Sequence, residues 1–114
     1  MNKKPMMRIY VAGRFRSEYP EVVELNKAAA EHAGMLIAKR GHFPVVPHLM
    51  TGRFNAVRSE KFWLEATKRE MLTCDGVFFI QGWRGSQGAR EEYEEAVNFG
   101  LKVYTDIDDI EGTI

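Results

Sequence analysis

Short apolar runs alternate along this chain with longer stretches of helical periodicity. Arg8–Ala12 (RIYVA) reads as a first strand that ends at Gly13. From Glu21 to about Arg40, the positions Val22, Asn26, Ala29, Ala30, Ala33, Leu36 and Ile37 form one stripe at the 3.6-residue period. They predict a helix with Pro20 at its start and Gly41 closing it. Asn26 is the polar exception on that stripe. Either a hydrogen bond to the backbone of the first loop or a ligand contact would account for it. Phe43–Val46 predicts a second strand, His48 to about Arg58 a polar, irregular loop, and Ser59 or Glu60 to about Thr73 a second helix. Val77–Ile80 predicts a third strand and Leu101–Tyr104 a fourth, with a helix from about Gly88 between them. Asp106–Ile114 is an acidic tail to which no structure is assigned.

Strands that alternate with helices, and are apolar on both faces, predict a mainly parallel sheet of four or five strands covered on each side. Right-handed crossovers make this a single-domain α/β three-layer sandwich. In such sheets ligands bind beyond the carboxyl ends of the strands. That rule gathers Gly13–Arg16, Pro47–Asn55 and Gln81–Gly88 on one rim.

The helix after the third strand departs from its own pattern. Ala89, Tyr93, Ala96, Val97 and Gly100 fall on its inward stripe, while Glu91, Glu94, Glu95 and Asn98 fall outside it. Glu92 falls inside, next to Ala89 and Ala96. Acidic residues in a first helical turn are favoured by the macrodipole, by roughly 0.3–1 kcal/mol, which suffices for Glu91. The dipole does not choose a face, and burying an unpaired carboxylate costs several kcal/mol. Glu92 is therefore either an N-terminal charge of awkward placement or a functional carboxylate.

The loop before it bears on that choice. Gly82, Gly85 and Gly88 punctuate it and Ser86 stands just ahead of the helix. Backbone N–H groups at a helix start favour an anion, and Arg14, Arg16 and Arg84 add charge on the same rim. The competing account is a tight strand-to-helix connection built from ordinary turn residues. No Walker A lysine or dinucleotide fingerprint is present. Trp83 either stacks on a planar ring or covers the edge of the core. Tyr10, near the end of the first strand, is a core aromatic that could also reach the rim, and His48 after Pro47 is open to either reading. A carboxylate beside an anion site and aromatic rings suits glycosidic cleavage, whose oxocarbenium-like transition state needs negative charge near the anomeric carbon.

Composition narrows the alternatives. The 114 residues suffice for one domain, and Lys+Arg and Asp+Glu balance at 16 each, so no net field draws the chain to nucleic acid polymers or membranes. No apolar run is long enough to span a bilayer, and MNKKPMM lacks the apolar stretch of a signal peptide. One cysteine, Cys74, excludes an internal disulfide and fits a reducing cytoplasm. The three histidines form no ligand spacing with it, so no metal site is expected.

At IYVAGRFR (9–16), FPVVPH (43–48) and the run from CDGVFFIQGW through SQGAREE to residue 92, the chain resembles the nucleoside 2-deoxyribosyltransferase superfamily. It is most similar to small bacterial and phage members and to the deoxynucleoside 5′-monophosphate N-hydrolases, over nearly the whole chain. The resemblance implies a flavodoxin-like fold, a homodimer or larger assembly, a nucleotide or nucleoside as partner, and no cofactor. It implies that Glu92 is the nucleophile at the sugar, that Tyr10 supports it, and that Gly13, Arg14, Arg16, Ser86 and Gly88 hold the phosphate. Phe15, His48 and Trp83 become base or sugar contacts. The chain departs from the pattern at Thr67, where active members usually carry an Asp that protonates the departing base. Glu70, one turn later on the face of Trp63, Thr67 and Cys74, is the expected substitute. Phe15, Met50 and Asn55 replace commoner Tyr, Asn and Asp. The leading expectation is cleavage of an N-glycosidic bond, by hydrolysis or base transfer. A nucleotide-binding or sensing module that kept the pocket without the acid is the alternative, and a scaffold acting through protein contacts alone comes third.

Overall fold

A computed structural model of the chain describes residues 5–50 and 55–113. Four strands, β1 (Arg8–Ala12), β2 (Phe43–Val45), β3 (Gly76–Phe79) and β4 (Lys102–Tyr104), pair in the order β2-β1-β3-β4, all parallel. Among the described residues four helices accompany them: α1 (Pro20–Lys39), a single turn α2 (Pro47–Met50), α3 (Glu60–Met71) and α4 (Gln87–Phe99). The result is the parallel α/β domain that the pattern predicts, flavodoxin-like as the family resemblance implies. The strand ends agree with the expected ones to within a residue.

Strand alternation divides the core in two. Ile9 and Val11 of β1 point to one face, where Ala30, Ala33 and Ile37 of α1 meet them. Tyr10 and Ala12 point to the other, where Met71 of α3 and Ala89 and Ala96 of α4 close over them. The α1 stripe is narrower than the sequence suggests, because Ala29 is exposed and Gly34 is buried instead. Close approach explains Gly34: a Cβ there would come within 3.0 Å of Val46. Asn26 donates from Nδ2 to the Phe15 carbonyl at 3.1 Å, so the polar exception on α1 is a brace for the first loop.

Two further departures have local causes. Val97, expected inside, is 51% exposed. Ala89, Glu92 and Ala96 already fill the narrow buried stripe of α4, and Gly100 (φ 88°) ends the helix one turn on. Within the segment expected to be an irregular loop, Pro47–Met50 and Asn55–Val57 each form a helical turn, while residues 51–54 lie outside the described part.

The tail is part of the fold. Asp106 caps a turn at Ile107–Asp109, and Ile110 is buried in the core of the α1 face. Arg40 holds it, Nε donating to the Ile110 carbonyl (3.2 Å) and Nη2 to Asp108 (3.0 Å). His42 adds a second tie. Its Nδ1 accepts the Met7 N–H at 3.0 Å, which leaves the proton on Nε2 to be donated to the Glu111 carbonyl at 2.6 Å.

Candidate active site

The strand order reverses direction between β1 and β3, and a cleft of about 670 Å³ opens there above their carboxyl ends. Gly13 makes the crossing possible, since a Cβ on it would meet Ile80 at 3.1 Å. The loop after β1, α2, the first turns of α3 and the start of α4 form the walls.

Tyr10 and Glu92 meet in this cleft. Tyr10 is a central residue of β1, buried on the α3/α4 face, and its hydroxyl donates to Glu92 Oε2 at 2.5 Å. Glu92 is only 6% exposed, on the stripe that helical periodicity assigns to it. Burial lifts its carboxyl to about 7; the Tyr10 hydrogen bond and the Lys68 ammonium pull the other way without cancelling the effect. Burial, and then the carboxylate itself, pushes the Tyr10 phenol well above its ordinary value. The pair thus shares one proton from the phenol, with the carboxyl poised to titrate near neutrality.

The start of α4 and the loop after β1 come together on the cleft wall. Ser86 is the N-cap of α4, its Oγ accepting the Ala89 N–H at 3.2 Å. Gln87 and Gly88 follow on the cleft wall, at the positive end of the helix dipole. Arg14 lies beside this turn: its guanidinium is 3.8 Å from where a Cβ on Gly85 would stand. Arg16 stands at the mouth, 3.7 Å from Glu60 at the start of α3, with its guanidinium 5.9 Å from the Phe15 ring centroid.

Of the proposed base or sugar contacts, Phe15 and His48 line the cleft. The two rings meet edge to face at 5.0 Å. His48 Nε2 donates to the Arg14 carbonyl at 3.0 Å and pins the loop that carries the arginines. Among the described residues its Nδ1 is buried without a partner, and burial lowers the affinity of the ring for a second proton. Trp83 and Glu70 are placed elsewhere. Trp83 is 6% exposed and packs in the α3/α4 core, stacked on Tyr93 (4.7 Å, 17°), with Arg84 over it at 4.5 Å. It covers the core edge, the plainer of its two readings. Glu70 binds Arg8 Nη2 at 2.8 Å, at the opposite end of β1. The direction of α3 explains this: the helix runs against the strands, so each turn after Thr67 descends away from the rim.

Sequence reasoning did not assign the wall formed by Lys61, Trp63 and Leu64, nor Glu91 opposite. The spacing of Trp63 and Thr67, one turn apart on α3, was the available signal. Thr67 lines the cleft, with its Oγ1 turned to its own helix, 2.9 Å from the Trp63 carbonyl and 3.2 Å from that of Leu64. Lys68 reaches across to α4, its Nζ 3.7 Å from Glu91. Among the described residues, no three His, Cys, Asp or Glu side chains are grouped to hold a metal ion, and no helix is long and apolar enough to cross a membrane.

No curated protein matches the chain. A family model described as a domain of unknown function (DUF4406) matches residues 7–105, and the chain belongs to that family.

Proposed function

We propose that the protein cleaves the N-glycosidic bond of a nucleoside 5′-monophosphate or nucleoside, with Glu92 as the nucleophile. The observation that carries this reading is the 2.5 Å hydrogen bond between Tyr10 and the buried Glu92, inside a cleft with a cationic end. Tyr10 fixes Oε2, so attack on the anomeric carbon falls to Oε1. Arg14 and the start of α4 receive the phosphate. Glu92 lies five residues beyond Gln87, about 7–8 Å along the helix axis, which suits the span from a 5′-phosphate to the anomeric carbon. Water or a second base then resolves the glycosyl ester, giving hydrolysis or base transfer. The sequence resemblance supports the same chemistry, and with it a homodimer or larger assembly. The lone buried thiol Cys74 fits a cytoplasmic setting.

The competing reading, a nucleotide-binding module without turnover, draws on Thr67, whose hydroxyl is occupied by its own helix. One experiment separates the two. Nucleoside 5′-monophosphates are incubated with wild type and Glu92→Ala, and free base is followed by chromatography. Release by the wild type alone is the expected result. Binding of nucleotide with no release by either protein would favour the module.

A further inference from the structure

Departure of a neutral base from a sugar requires a proton, and among the described residues the carboxyl, imidazole and phenol groups beside the cleft each have another partner. Glu60 faces Arg16 at 3.7 Å and Glu91 faces Lys68 at 3.7 Å, each in an ion pair. The Thr67 hydroxyl donates into its own helix, and an alcohol is a poor general acid. His48 spends its Nε2 proton on the Arg14 carbonyl. Tyr10 donates its hydrogen bond to Glu92, and Glu70 is bound to Arg8 outside the cleft. Residues 51–54 (TGRF) contribute no carboxyl group.

A base attached through a positively charged ring nitrogen needs no such proton, because the bonding pair that it takes on leaving neutralises it. The walls suit a ring of that kind. Phe15 and Trp63 line the cleft with aromatic rings, and the carboxyl groups of Glu60, Glu91 and Glu92 stand among its other walls. Phe15 already carries one cation, the Arg16 guanidinium.

We propose that the preferred substrates are nucleotides whose base is joined through a quaternised ring nitrogen, a pyridinium or an N-alkylated purine; this rests on the glycosidic cleavage proposed above. In the first step Glu92 Oε1 bonds to the anomeric carbon and the C–N bond breaks, its electron pair cancelling the ring charge. In the second, water attacks the same carbon, Glu92 is released as carboxylate, and one proton goes to solvent. The products are a neutral base, a sugar 5′-phosphate and that proton.

The test uses matched substrates. Guanosine 5′-monophosphate and 7-methylguanosine 5′-monophosphate differ by one methyl group and one charge, and nicotinamide ribonucleoside 5′-monophosphate is the pyridinium counterpart. With wild-type protein, kcat/KM for a cationic substrate should exceed that for the guanosine nucleotide by about 100-fold or more, the least that a missing general acid costs. Comparing the two cationic compounds identifies which ring the cleft accepts. Thr67→Asp, which puts an acid on the wall, should narrow the ratio by raising release from the neutral nucleotide. Release from guanosine, adenosine or deoxyribonucleoside monophosphates at rates equal to or above the cationic ones would overturn the preference while keeping the glycosidase. Release from none of them would overturn both.

Discussion

Glu92 and His42 are both buried, both titratable, and lie at opposite ends of the same sheet. Burial favours the neutral form of each: it lifts the Glu92 carboxyl to about 7 and lowers His42 below the usual imidazole value. Their surroundings then diverge. His42 has a backbone partner on each nitrogen, so its hydrogen-bonding capacity is exhausted within the fold. Glu92 has the Tyr10 phenol on one oxygen and lines an open cleft. A buried polar group with all its partners in place secures structure, whereas one with valence to spare beside a cavity is available for chemistry.

Glu92→Gln should have the largest effect. Base release should fall by at least about 1,000-fold, the scale expected when a nucleophile is removed. The same change should stabilise the fold at alkaline pH. A carboxyl raised from 4.5 to about 7 retains its proton better in the folded state, so its stabilising contribution is complete below pH 4.5 and is lost as pH rises through 7. Removing the ionisable group should therefore add on the order of 3 kcal/mol at pH 8. Denaturant melts at pH 5 and pH 8 check this, and equal stability at both would show that Glu92 is better solvated than the structure implies.

His42→Ala should do the reverse. It strands the Met7 N–H and the Glu111 carbonyl and should cost about 2–4 kcal/mol, with kcat/KM within about twofold of wild type. Because His42 binds its proton less tightly when folded, wild-type stability should also fall as pH drops through 6.5 and below. That acid-side loss should shrink in the variant, as urea melts between pH 5 and 7.5 would read out.

Tyr10→Phe sharpens the active end. The phenol stabilises the Glu92 carboxylate, so its removal should move the acid limb of kcat/KM to higher pH and lower the plateau by about tenfold. An unmoved limb would separate Tyr10 from the ionisation of Glu92.

The sequence made Glu92 legible because helical period assigns a face, and a carboxylate on the apolar face has few explanations. It made β1 to β4 legible for a similar reason, since four short apolar runs between helical stretches admit few arrangements. Direction along an element was harder. Trp63, Thr67 and Glu70 share one face of α3, but only the sense of the helix relative to the sheet separates the two at the cleft from the one at Arg8. Trp83 was ambiguous because a loop residue has no period, and its stacking on Tyr93 follows from a turn of the chain at Gly82 (φ 90°). Neither His42 nor Ile110 carried any pattern. Their roles depend on contacts between segments nearly 70 residues apart.

That separation bears on how the chain is made. Ile110 fills a seat between α1 and the sheet that belongs to the first half of the molecule. During synthesis, β1 and α1 emerge from the ribosome long before the residue that completes their core. Until it arrives, an apolar socket stands open beside Ile9, Val11 and Ile37, so the nascent chain passes through an interval in which chaperones can recognise it and aggregation competes with closure.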